Sequence, residues 1–148
     1  MVLKLIGVFI AIVAFSLLIE VPKRYLLLAG TVGAVGGLIF LICHDLLTMG
    51  NVAASFWSAL VIAFLSHTFA RKFKAPVTLF LIAGILPTVP GAGMYRIVYS
   101  MTMEEGSMTS RYLIETLEIA GVIALAIFLM DSLFRVFKKG WRQNFVRS

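Results

Sequence analysis

The chain has 148 residues, 61% of them hydrophobic and 14% charged, with a mean hydropathy of +1.02. Soluble domains average about 45–50% apolar and about 25% charged residues, so these values exclude an ordinary soluble domain. The formal net charge of +6 is not a nucleic-acid footprint, because the bases fall in short clusters between apolar runs, as the positive-inside rule requires of a membrane protein.

At about 20 residues per crossing, the apolar runs predict an all-α, polytopic membrane bundle of five transmembrane helices. The spans cover residues 5–19, 25–46, 52–70, 76–101 and 112–137 within a single membrane domain over 1–148, with a basic tail over 138–148. In the first span Lys4 precedes an apolar core, as in a signal peptide. No small-x-small cleavage site follows the core, and Lys23 and Arg24 come directly after it, so the segment reads as a retained helix.

The second span carries Gly30, Gly33, Gly36 and Gly37 at helical spacing. Gly33 and Gly37 form a small-xxx-small pair that admits a neighbouring backbone. Together with Gly30 they serve either close helix packing or a bare-backbone wall along a substrate path. The span closes on His44 and Asp45, a polar helix end or a gate, with Cys43 beside them as an apolar filler. The lone cysteine allows no internal disulfide. The third span opens on small residues, Ala53, Ala54, Ser55 and Ser58, and ends at His67, expected at the interface one turn before Arg71.

The fourth span follows the cluster Arg71-Lys72-Phe73-Lys74-Ala75-Pro76 and is interrupted at Leu86-Pro87-Thr88-Val89-Pro90-Gly91-Ala92-Gly93. Each inner proline lacks an N–H and clashes with the carbonyl four residues back, here those of Ala83 and Leu86. In lipid those carbonyls need partners, so such a break survives only against protein or a water-filled cavity. Many transporters build a substrate site this way. A helix restarting after Gly91 through Met94, Tyr95 and Arg96 presents free N–H groups and a positive dipole end, which suit a carboxylate or another anion. The substrate-path candidates are therefore Pro87, Pro90, Gly91, Gly93, Tyr95 and Arg96. The same residues also fit a proline kink without a ligand.

The fifth span holds Glu115, Glu118 and Asp131, and carboxylates inside a membrane are costly. Glu115 and Glu118 are three apart and share a helix face. They are proton-coupling candidates, or else they favour the helix's N-terminal dipole end at the outer interface. Asp131 and Arg135, four apart, read as a snorkelling pair near the inner end. Tyr25, Trp57, Tyr112 and Trp141 sit where aromatic anchors gather.

Lys23 and Arg24 lie in the first connection, and Arg71, Lys72 and Lys74 in the third. Arg135, Lys138, Lys139, Arg142 and Arg147 lie at or beyond the end. The second connection has no base, and the fourth, residues 102–111, has Glu104 and Glu105 against Arg111. Five spans with the N-terminus outside and the C-terminus cytoplasmic place every basic cluster inside. No nucleophile elbow, phosphate loop or metal-ligand spacing is present, so the sequence predicts no enzyme activity, no cofactor and no metal.

Three elements in order carry a family resemblance: Glu20-Val21-Pro22-Lys23-Arg24 before a glycine-spaced helix, then Ala70 to Pro76, then Ile85-Leu86-Pro87-Thr88-Val89-Pro90-Gly91 with Tyr95. Together they resemble the threonine/serine exporter family, and within it the small five-helix subunit of the split form, whose relatives include a bacterial succinate-exporter pair. The resemblance spans about residues 5–137, although Thr88 stands where an apolar residue is expected. It implies an exporter of small amino acids or dicarboxylates in the bacterial cytoplasmic membrane, working with a larger membrane subunit that resembles the family's N-terminal half. Two other readings are a non-transporting membrane scaffold and a homo-oligomeric small exporter.

Overall fold

The computed structural model describes residues 2–103 and 106–146, and these form six α-helices and no strand. Glu104, Glu105 and Arg147 of the expected charge pattern lie outside the described residues, as do the side chains of residues 137–148. Helix α1 spans Val2–Leu18 and α2 spans Lys23–Leu41, the latter continuing as a π-helical turn over Ile42–Leu46. Helix α3 spans Asn51–Phe73. The fourth segment is split into α4, Val77–Ile85, a 3₁₀ turn, Leu86–Thr88, and α5, Gly91–Thr102. Helix α6 spans Gly106–Val146.

Two of the connections share one device. Helix α1 stops where Glu20 takes a left-handed φ of 57° and Val21 N–H donates to the Ser16 carbonyl at 2.9 Å. Helix α3 stops where Lys74 takes a φ of 52° and Ala75 N–H donates to the Ala70 carbonyl at 3.0 Å. A left-handed residue after the last turn closes its open carbonyls. Pro22 and Pro76 then stand immediately before α2 and α4, where a missing N–H costs nothing and the fixed φ suits a helix start.

Three of these helices are long and apolar enough to cross a membrane, over Lys23–Leu46, Asn51–Phe73 and Ser107–Val136, and α1 is a shorter apolar helix. The last one corrects an expected boundary. Residues 106–111 are helical rather than part of a loop, because Thr109 Oγ1 donates to Ser100 Oγ at 2.8 Å and α6 packs along α5 from its first turns. Polar residues there were indistinguishable from a loop by composition. Tyr25, in the first turn of α2, is buried beside Phe80, with its hydroxyl donating to the Phe73 carbonyl at the end of α3.

Helices α1 to α4 form one packed unit: α1 lies on α2, α2 on α3, and α4 fills the groove between α2 and α3 while touching α1. Helix α6 packs on α3, and α5 packs on α6 alone. Close approach at the centre depends on glycine. A Cβ on Gly33 would run into Ile12, one on Gly36 into Ile62, and one on Gly84 would meet Val32 at 2.8 Å. Gly37, at 3.1 Å from Val8, is less tightly confined.

The α1–α4 core contains Ile12, Tyr25, Ala29, Ala70, Phe80 and Ala83. The fully buried Phe80 ring meets Tyr25 and Phe69 edge-on at centroid distances of 5.7 and 6.1 Å. Phe80→Ala leaves a cavity there and is expected to destabilise the protein by about 3 kcal/mol or more. A fall in the thermal midpoint of the detergent-purified chain checks this.

Candidate functional site

The break in the fourth segment is built from the two prolines outward. Thr88, 6% exposed, donates its hydroxyl to the Ile85 carbonyl at 2.6 Å, and Val89 N–H donates to the Leu86 carbonyl at 3.3 Å. The carbonyl facing Pro90 therefore finds a partner without a regular helix turn. Pro90, at φ −76° and ψ 52°, is the centre of a three-residue turn in which Gly91 N–H donates to the Val89 carbonyl at 2.7 Å. That turn redirects the chain from the α2–α3 groove onto α6.

A cavity of about 220 Å³ opens at this turn. Thr88, Val89, Pro90, Ala92, Gly93 and Arg96 form one wall, and Tyr112, Glu115, Thr116 and Ile119 of α6 form the facing one. Phe40 closes it from α2, and Asn51 and Ser55 from the first turns of α3. The volume is below the roughly 300 Å³ lower limit of drug-sized pockets and suits a small metabolite. Gly93 is what lets α5 approach α6, since a Cβ there would run into the Thr116 hydroxyl.

The charges across the cavity are opposite in sign. Glu115 Oε1 accepts from Asn51 Nδ2 at 2.9 Å, which ties the carboxylate to the start of α3. The Arg96 guanidinium lies 5.9 Å from the centre of the Tyr112 ring, and no acid among the described residues forms an ion pair with it. Ala92 and Gly93, in the first turn of α5, line the cavity too, and that helix start carries no side-chain cap. The cavity thus offers a cation and open backbone donors on one wall and an acceptor on the other.

Of the sequence candidates, Pro90, Gly93, Arg96 and Glu115 line this cavity. Gly91 is exposed with open space around its Cα, and Tyr95 is 69% exposed, stacked on Tyr99 away from the lining. Glu118 is exposed and not in the lining, although it shares a helix face with Glu115. The Pro87 side chain lies outside the described residues, while its backbone belongs to the 3₁₀ turn. Gly30 and Gly33 face Phe9, Val13 and Ile12 of α1, and Gly37 faces Val8. Sequence reasoning missed the site contributions of Phe40, Asn51, Ser55, Tyr112 and Thr116. The one available signal was Asn51, a polar residue at the start of a span, level with the acids that open the fifth.

Position along the bundle follows from the same lining. Phe40 is near the end of α2 and Asn51 begins α3, so the cavity lies toward one end of these helices rather than at their middle, where Gly84 meets Val32 and Ile62. A second, more apolar recess of about 480 Å³ lies on the far side of Phe40 and Thr88, against Gly7, Val8 and Ala11 of α1.

His67, one turn before Arg71, is 8% exposed and stacks on Phe134 of α6 with ring centroids 4.7 Å apart, and the same face of α3 continues to Arg71, which donates to the Phe134 carbonyl. Asp131 and Arg135 form the expected pair at 2.7 Å.

No curated protein and no solved structure matches the chain. The family model of the threonine/serine exporter, ThrE, matches residues 4–133. With a broken fourth segment, a polar cavity at the break and a match over most of its length, the chain belongs to the threonine/serine exporter (ThrE) family of membrane transport proteins.

Proposed function

We propose that the chain is the smaller membrane subunit of an exporter for small hydroxy-amino acids, working with a larger subunit that resembles the N-terminal half of the family. The chain crosses the bacterial cytoplasmic membrane five times, α4 and α5 together making the fourth passage, with the N-terminus outside and Arg71, Lys72, Lys74 and Arg135 toward the cytoplasm. The observation that carries this reading is the cavity at the break, with Arg96 and the start of α5 opposite Glu115. A zwitterion such as serine or threonine fits that polarity, carboxylate toward Arg96 and ammonium toward Glu115. Glu115, bonded to Asn51 at the outward end, is the group suited to exchange protons with the medium. A dicarboxylate is the second substrate class, its carboxylates taken by Arg96 and the uncapped start of α5.

The test is export from cells that express the chain with and without its larger partner. Loading with a serine- or threonine-containing dipeptide should release the free amino acid into the medium only when both are present. Unchanged release of serine, threonine and succinate on removal of this chain would overturn the proposal.

A further inference from the structure

At the end of the α3–α6 interface opposite the cavity lies a recess of about 260 Å³ lined by Arg71 and Arg135 against the single acid Asp131. Asp131 Oδ2 receives Arg135 Nε at 2.7 Å, and its Oδ1 lies 3.8 Å from His67 Nε2. Arg135 thus holds Oδ2, and Oδ1 keeps acceptor capacity. Arg71 is a surplus cation, yet it is held in place: it donates to the Phe134 carbonyl at 2.8 Å and lies 4.6 Å from the centre of the Phe134 ring. The same ring stacks on the nearly buried His67. A guanidinium has five N–H donors. Arg71 and Arg135 therefore both keep donors available at the recess.

Between this recess and the outer cavity the α3–α6 interface is closed by buried Ala59, Ile123 and Ala126. Glu115 and Asp131 are about 24 Å apart along α6 at 1.5 Å per residue. One helix pair thus holds a polar site near each end and an apolar seal between them.

We infer that the recess formed by His67, Arg71, Asp131 and Arg135 is a second binding site for a carboxylate, the first station of the cargo on the cytoplasmic side. Arg71 and Arg135 take the carboxylate, Asp131 is the acceptor for the ammonium group of an amino acid, and the seal separates this station from the outer cavity. The inference rests on the exporter reading for the direction and identity of the cargo.

The test uses Ala75→Cys, at the wall of the recess, which keeps all four polar side chains. The one native thiol, Cys43, is buried and belongs to the opposite end. Inside-out membrane vesicles carrying A75C and the larger subunit are labelled with a maleimide in the presence of serine, threonine or succinate, and cargo uptake is measured in the same vesicles. Serine or threonine should slow labelling at least fivefold, and R71Q and R135Q should each raise the half-protecting concentration about tenfold. Arg135 is 80% exposed, so R135Q keeps the test valid if R71Q fails to accumulate. Protection by succinate but not serine would assign the site to dicarboxylates. Uptake without any protection, or protection unchanged in R135Q, would overturn the recess while leaving the exporter reading intact. Absence of both uptake and protection would overturn both.

Discussion

Arg96→Gln is expected to cut export about tenfold to a hundredfold while the amount of protein in the membrane stays the same. The side chain is exposed at the cavity and forms no ion pair among the described residues, so its loss leaves no buried partner stranded. A hydrogen bond to a charged group contributes about 1.5–3 kcal/mol, and about 1.4 kcal/mol corresponds to a factor of ten. Glu115→Gln makes the paired test, because a glutamine oxygen can still accept from Asn51 while the charge is removed. It should abolish accumulation driven by a proton gradient and weaken, without abolishing, exchange of labelled for unlabelled substrate across the membrane. Wild-type gradient-driven export by E115Q would show that Glu115 holds α3 to α6 and nothing more.

The second large effect is structural. Gly36→Val should prevent the chain from assembling, whereas Gly91→Ala should leave its abundance unchanged. At Gly36 a Cβ meets Ile62 Cγ1 and Cδ1, and Ile62 is fully buried, so its side chain has nowhere to turn. Ser58, whose hydroxyl donates to the Gly36 carbonyl at 2.8 Å, is a further atom 3.5 Å from the same point. Overpacking typically costs about 1–3 kcal/mol for an added group, and valine adds three carbons where one already collides. At Gly91 no atom lies within 4 Å, and alanine favours a helix more than glycine does. Size-exclusion profiles of the two variants in mild detergent would separate these outcomes directly. Equal monodisperse yields would show that the α2–α3 contact is not the tight point of the bundle.

The comparison of sequence with structure turns on what kind of signal each feature leaves. Long apolar runs bounded by bases are legible, and the helices fall within a few residues of the expected spans except in α6. The Pro-Gly break was legible because a missing N–H is a property of the residue itself. What surrounds it was not. Phe40, Asn51, Ser55 and Tyr112 reach the cavity from three other helices, and no local spacing records which faces of those helices meet. Glycine spacing likewise showed that a close contact exists but ranked Gly33 with Gly37. Only the position of α3 reveals that Gly36 and Ile62 make one of the tightest approaches. The burial of His67 left no signal for the same reason: distance along α3 puts it one turn from Arg71, and only rotation about α3 stacks it on Phe134.

The shortness of α4 has a consequence for how the chain enters the membrane. Nine residues of helix measure about 13.5 Å at 1.5 Å each, less than half of a hydrocarbon core of about 30 Å. Left alone in lipid, α4 would end with its last carbonyls among acyl chains. Its stable place is the groove between α2 and α3, so α4 has a host only after those two helices have paired. Synthesis from the N-terminus supplies the helices in that order, α1 to α3 before α4. A rearranged gene that sends α4 through the insertion machinery ahead of α2 and α3 should yield a chain that is retained and degraded, although every residue of the finished bundle would be present.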